Sequence, residues 1–497
     1  MADPDDPAAP AARFRRLQAG LAQALAAAGP GSTTPHVVVA LPSHSMPTRL
    51  LDHNASHLPA LEHRALLDGL RLAHTPGAHV VVVVSEAPAP EVLDHYAWLA
   101  RPDDPDAARR RMTCLVVPDG SARGIAAKLL SRPDLLARLR AQLAGRPAVV
   151  EPWNVTEDEA AVALALDTPV NGGPPDLWHL GFKSASRRLF RRGGVPVPPG
   201  VEDVRDTADV AAAVVDLHRA SPSADRFVVK LDNSGAGEGN WMFSTSTAGG
   251  RRLSQEALAE RISTEAPGWF LRDLRAGGVV EQWVAGTGSL PSPSAQVELL
   301  PDGEVVVRAT HEQVLGGPDG QVFTGSRFPA DPAYSADLAG HATAVARLLA
   351  DRGAVGWASV DFVVARHGRR HAPFAVDLNL RKGGTSHSLA ALQHLVPGTY
   401  DAAGGRWVAD ADGGPRHYRS SDAVPVNPGT DAAAALSAVD ASGSTFDHAR
   451  GTGAVLHMLA ALGPHGTVGV TAIGRTAAEA ETLYDDVAAT LAATGGP

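Results

Sequence analysis

Two short runs of valine constrain this chain more than any other feature. His36–Leu41 (HVVVAL) and His79–Val84 (HVVVVV) are continuous, β-branched and ended by polar or proline residues. Apolar runs of that length without alternation fit strands buried on both faces, as inside a parallel sheet. Helical stretches lie between and after them, such as Pro59–Leu72 and Glu91–Leu99, and Thr113–Val117 and Ala148–Val150 continue the rhythm. Strand–helix alternation predicts an open α/β domain over residues 31–175, after a disordered tail and leading helix over 1–30. Arg13–Arg16 followed by Leu17–Ala28 faintly mimics a signal peptide, but the acidic start and the interruptions at Gln18 and Gln23 favour a helix.

The next stretch has a different rhythm. From Gly181 to Pro199 the chain is basic and then rich in Gly and Pro, which reads as a helix, a stop and an extended exit. A domain boundary falls just before it. Phe227–Lys230, Val279–Val284, Gln296–Leu300, Glu304–Ala309, Ser359–Val364 and Phe374–Asn379 read as strands, mostly antiparallel, with Pro301–Asp302–Gly303 as a hairpin turn. They define an α+β core over 176–400. Past Tyr400 come loops at Asp401–Gly405 and Asp410–Pro415, a short helix at Ala432–Val439, and a pattern over Gly453–Leu462, Thr467–Ile473 and Ala477–Leu491 that makes a small C-terminal α/β subdomain over 401–497. The fold class is therefore multidomain, α/β and α+β, without an internal repeat.

Charge and cysteine usage exclude several classes. The 54 acidic and 44 basic residues give a net charge of -10, a poor basis for general nucleic-acid binding. No apolar run approaches the ~18 residues of a membrane span. Cys114 is the single cysteine, so neither an internal disulfide nor a cysteine zinc site can form. It sits in the apolar run Cys114–Val117 and reads as a buried thiol, and the cytoplasm is the expected compartment.

Four elements carry chemistry. In Phe227–Trp241 a strand ends on Lys230, and the turn after it bears Ser234, Gly235, Gly237 and Gly239. Such glycines let backbone N–H groups approach phosphate oxygens, although a hairpin tip looks the same in isolation, and no Walker A loop is present. Asp377 and Asn379 stand two apart on one strand and share a face, and Asp361 lies on the preceding strand. Two carboxylates and an amide oxygen are hard ligands suited to Mg²⁺. A cation set follows: Lys183, Arg308, His311, Arg327 and Arg381, of which Arg381 opens the loop RKGGTSH directly after the metal strand. Charges of that kind stabilise a phosphoryl group in transfer. Finally, Glu281, Gln282 and Val284 lie on a segment that can meet an adenine edge, or equally be a core strand.

The order of these elements resembles the ATP-grasp superfamily, which includes D-alanine–D-alanine ligase and biotin carboxylase. More narrowly, WNVTEDE, GFKSASRRLF, VVKLDNSGAGEGN, THEQVLGG, DLNLRKGGTSHS and VLHMLAALGPHGTVGVTAIG look like the peptide ligases related to that of pheganomycin biosynthesis. The resemblance implies an ATP-grasp fold behind an N-terminal pre-ATP-grasp domain. It implies ATP and Mg²⁺ as cofactors. Lys183 and Lys230 are expected on the α- and β-phosphates, the Ser234–Gly239 loop over the β- and γ-phosphates, and Glu281, Gln282 and Val284 at the adenine. Asp361, Asp377 and Asn379 are expected on Mg²⁺, Arg381 near the γ-phosphate, and Arg308 and His311 as further catalytic contacts.

Three positions depart from the pattern. Asp377 stands where a glutamate is usual, Gly288 falls where a ribose-binding acid is usual, and Ser359 replaces an arginine that often precedes the metal aspartate. The implied reaction is amide formation through an acyl phosphate, joining a modified amino acid to an amino acid or peptide in natural-product biosynthesis. Candidate substrate walls are His44–Arg49, Ser85–Glu86 and Thr385–His387. A small-molecule kinase and a non-catalytic ATP-binding regulator are the rival readings, and a homodimer is expected from the superfamily.

Overall fold

A computed structural model describes residues 9–235, 238–246, 252–284, 290–316, 322–368 and 370–494. The valine runs become the strands His36–Leu41 and Ala78–Val84 of a four-stranded parallel sheet, flanked by Met112–Val116 and Ala148–Pro152. Every residue of His36–Leu41 is buried, which explains why the run has no polar alternation. One face packs on Ile125, Leu129, Leu139 and Val162, the other on Leu66, Leu70, Val92 and Tyr96. His44, Ser85 and Trp153 all lie just past the carboxyl ends of these strands. In open α/β sheets that is the edge where ligands bind.

The WNVTEDE motif builds part of this edge. Thr156 and Glu159 form a capping box on the helix Glu157–Leu166. Glu159 also accepts from the Ser45 hydroxyl at 2.7 Å, and Asn154 bonds both the amide and the carbonyl of Ser45. The motif therefore fixes the loop that carries His44.

A second sheet of four antiparallel strands runs Gly200–Val204, Gly278–Gln282, Arg226–Gly235, Glu238–Ser244 in spatial order. Phe227, Val229 and Val280 bury one face beneath Val210, Val214, Leu258 and Ile262. The helix Lys183–Arg192 leads into it and turns Lys183 and Arg187, four residues apart, inward together.

The largest sheet holds ten described strands. Arg370–Asn379, Gly356–His367, Pro293–Leu299, Val305–Gly316 and Val322–Phe328 are neighbours in that order. The helix Ser335–Ala350 covers one face through Leu338, Ala342, Val345 and Leu349. Pro415–Pro425 pairs with Val322–Phe328 on one side and with Thr467–Gly474 on the other, so the C-terminal strands extend the same sheet. The core beneath its other face runs from Ala40 and Val82 through Phe328 and Tyr418 to Val470 and Leu491, which joins the parallel-sheet layer to the large sheet. Among the described residues no helix is long and apolar enough to cross a membrane.

Candidate functional site

Strand register brings the acidic group together. Asp361 on Gly356–His367 lies opposite Asp377 on Arg370–Asn379, and Ser359 lies opposite Asn379. The Asn379 amide donates to Asp361 Oδ2 at 3.1 Å, and Gln313 Nε2 donates to Oδ1 at 2.9 Å. Lys183 Nζ sits 2.5 Å from Asp377 Oδ1. Burial and the Asp377 carboxylate raise the pKa of Asp361, against the pull of Lys183 and Arg381. Burial also lowers the pKa of Arg381, and both aspartates oppose that shift. Two carboxylates facing each other at one sheet edge, one of them resisting ionisation, fit a divalent cation as their missing partner.

The second lysine lies on the smaller sheet. Lys230 Nζ is 2.6 Å from Glu281 Oε2 and donates to the Val376 carbonyl at 3.3 Å, one residue from Asp377. Arg187 approaches the same glutamate, and it bonds Glu202 at 2.8 Å and the Pro198 carbonyl at 2.9 Å. The Glu281 carboxylate is 2% exposed and faces these two cations. Gln282 donates its backbone N–H to the Pro199 carbonyl and keeps a buried, unpartnered side-chain Oε1. Val284 follows, half-buried.

The glycine turn approaches Arg381. A β-carbon on Gly235 would lie 3.3 Å from Arg381 Nη2. Gly239 has φ 93°, and a β-carbon there would lie 2.7 Å from Ser234 Cβ, so no other residue fits without strain. The Ser234 hydroxyl donates to the Leu231 carbonyl at 2.9 Å. Gly237 and Gly288 lie outside the described residues.

Three of the expected cations stand apart. Arg308 is half-buried and pairs with Glu298. His311 is fully buried against Phe328 and bonds the Tyr418 hydroxyl at 2.6 Å, and burial pushes it down to about 3, which keeps it neutral. Arg327 is exposed and pairs with Glu481. Ser359 is buried, with Gly383 packed beside its hydroxyl. Of the cation set, Lys183 bonds Asp377, and Arg381 lies near enough for its charge to bear on both aspartates.

The expected substrate walls differ in character. Ser85 donates amide and hydroxyl to the buried Glu62, both at 2.6 Å, a structural tie. Arg49 pairs with Asp273 and lies 4.1 Å over the Trp269 ring. His44 packs on Trp153 with its Nε2 buried and unpartnered, and burial with Arg64 nearby pushes it down to about 3. Thr385 is bonded by Gln296, and His387 by Asp422. A cavity beside Arg381 is lined by Trp153, Trp178, Trp357, Leu380 and Lys382.

Arg187, Gln313, Arg64 and Asp422 were not among the residues the sequence singled out. Arg187 had a signal, its four-residue helical spacing from Lys183. Gln313 had one too, sharing a strand face with His311. Arg64 and Asp422 had none.

Residues 434–487 match the family described as PGM1 C-terminal domain. The L-propargylglycine–L-glutamate ligase of Streptantibioticus cattleyicolor is 33% identical over 420 residues, spanning 81% of this chain and 83% of that protein. An ADP complex of N5-carboxyaminoimidazole ribonucleotide synthetase matches with TM-score 0.51 and 13% identity, covering 92% of this chain and 98% of that one. The synthetase of that name from Thermus thermophilus gives 0.50 at 16% identity, covering 93% and 99%. At those identities the structural likeness is one of fold.

Proposed function

The chain belongs to the ATP-grasp carboxylate–amine ligases, ATP-dependent and ADP-forming, and on that footing we propose that it joins two amino acids, or an amino acid and a peptide, through an acyl phosphate. The observation that carries the site assignment is the opposition of Asp361 and Asp377 with Lys183 and Arg381 against them. Asp361, Asp377 and Asn379 would hold Mg²⁺, which would offset the charge of the phosphates. Lys183 and Lys230 grip the α- and β-phosphates. The Ser234–Gly239 turn covers the β- and γ-phosphates, and main chain at Gln282–Val284 meets the adenine. Arg381 orients the γ-phosphate and the donor carboxylate that attacks it. Closure of the turn excludes water that would hydrolyse the acyl phosphate.

The tryptophan-lined cavity beside Arg381 supports a donor with a small apolar side chain. The relative's name supplies the first pair to try, L-propargylglycine as donor and L-glutamate as amine. Arg308 and His311, expected as further catalytic contacts, pair with Glu298 and with the Tyr418 hydroxyl. We divide the chain into a pre-ATP-grasp layer to residue 175, an ATP-grasp core to 400 that holds the smaller sheet and most of the large one's first strands, and a C-terminal part that completes the large sheet. We assign the protein to the cytoplasm, where the half-buried Cys114 thiol stays reduced, and expect a homodimer.

ADP release with Mg²⁺-ATP across a panel of amino acids and short peptides tests this, with mass spectrometry of the products. A new amide that needs both partners and disappears in Asp377→Ala supports the ligase. A phosphorylated product without an amide points to a kinase instead.

A further inference from the structure

Three distant parts of the chain meet at Asp422. Arg64, on the segment His63–Ala73, reaches Oδ2, and His387, on the helix Ser386–Leu395, has its Nε2 2.9 Å from Oδ1. The side chains of Arg64, Asp422 and His387 are 10%, 13% and 3% exposed. Burial opposes the Asp422 charge, but Arg64 and His387 outweigh it and hold the carboxyl well below the usual range. Burial also lowers the pKa of His387, although Asp422 works the other way. The pair is therefore an ionised carboxylate beside a neutral imidazole. In that state Nε2 carries the proton and donates it to Asp422, and the lone pair stands on Nδ1. His387 Nδ1 is buried and without a partner. A carboxylate that fixes one tautomer and leaves the other nitrogen free is how an imidazole base is prepared for acyl transfer.

The base lies in the first turn of the helix that follows the loop leaving the metal strand. Arg381 follows Asn379, and Thr385 is bonded by Gln296, which pairs in register with Ser359. His44 feels both Arg64 and Arg381, and Arg64 lies 5.5 Å from the Trp153 ring on which His44 packs. Trp153 and Arg381 line one cavity, so the Asp422 cluster adjoins the arginine assigned to the γ-phosphate. His457 is the third group near Asp422, its ligand atom within 4.8 Å of the others. A metal ion is disfavoured there, because Arg64 takes the second Asp422 oxygen and a β-carbon on Gly469 would lie 2.1 Å from His457 Nδ1.

Building on the ligase reading, we propose that His387, positioned by Asp422 and Arg64, is the base that takes the proton from the attacking amine. The amine nitrogen forms the bond to the acyl carbon, the bond from that carbon to the phosphate oxygen breaks, and phosphate leaves with the electron pair. The surplus proton on nitrogen passes to His387 Nδ1 and then to solvent or the departing phosphate.

Hydroxylamine separates this from a general defect, since it is unprotonated at neutral pH and traps an acyl phosphate without a base. The wild type, His387→Asn and Asp422→Asn are assayed with Mg²⁺-ATP and a carboxylate panel that includes L-propargylglycine, against L-glutamate or hydroxylamine. His387→Asn should lose amide formation with L-glutamate by ~10²–10⁴-fold while most ADP-coupled hydroxamate formation survives, and its pH profile should shift to follow ionisation of the amine itself. Asp422→Asn should show a smaller loss of the same kind. Amide formation within a few-fold of wild type with an unchanged pH profile would overturn the assignment. So would a parallel fall of amide and hydroxamate, which marks a structural role. If the wild type makes neither ADP nor hydroxamate with any carboxylate, the ligase reading itself falls, and the base with it.

Discussion

From the helix Lys183–Arg192, Arg187 holds Glu281 and Glu202 of the smaller sheet at 1% side-chain exposure. Removing one partner of a buried ion cluster leaves charge unpaired, and that usually costs about 3–5 kcal/mol. Arg187→Met should therefore lower the unfolding free energy by about that amount in urea titrations without nucleotide. It should also raise the KM for ATP, because Lys230 is then drawn more tightly to Glu281. His311 gives a pH signature. Its folded pKa of about 3 lies below the ordinary value of 6.5. The unfolded chain thus takes up a proton that the folded one refuses, so the stability is complete above the ordinary value and is lost as pH falls towards the folded one. The slope approaches ~1.4 kcal/mol per pH unit. In His311→Gln, which can keep a bond to Tyr418, the fall in stability between about pH 6 and 4 should be shallower than in the wild type by roughly that slope. These residues mark a limit of sequence reading: a histidine beside a phosphate and one beside a tyrosine in a core look identical until the strand register is known.

At the scale of elements, the glycine turn is the part most open to test. Gly239→Ala forces a β-carbon against Ser234 at positive φ, which costs of order 1 kcal/mol and re-aims the turn. The expected result is a KM for ATP raised about tenfold with the thermal midpoint nearly unchanged, measured by steady-state kinetics and calorimetry. Strands were the elements best read from the sequence. The valine runs show by their lack of alternation that both faces are covered, and the two-residue period of Asp377 and Asn379 puts both on one face. Helical spacing could have shown Arg187 as well. The Arg64–Asp422 contact was not legible, because 358 residues separate its partners and neither sits in a local pattern.

The whole molecule is bound together by its last strands. Thr467–Gly474 lies between Pro415–Pro425 and Gly453–His457, and Val468, Val470 and Ile473 are buried there. A truncation after residue 426 would leave Pro415–Pro425 without that neighbour and open the shared core. It should yield aggregated protein in size-exclusion chromatography, not a smaller ATP-binding fragment.

The Arg64–Asp422 bond also has a kinetic consequence. Closing contacts across hundreds of residues is slow, since the entropy of a long loop is lost before any contact rewards it. The acidic strands and their arginine are neighbours in the chain, but the histidine base waits for the first hundred residues to find the last hundred. In refolding from denaturant, nucleotide binding should therefore return before amide synthesis, and for that interval the protein would activate carboxylates that it cannot yet deliver to an amine.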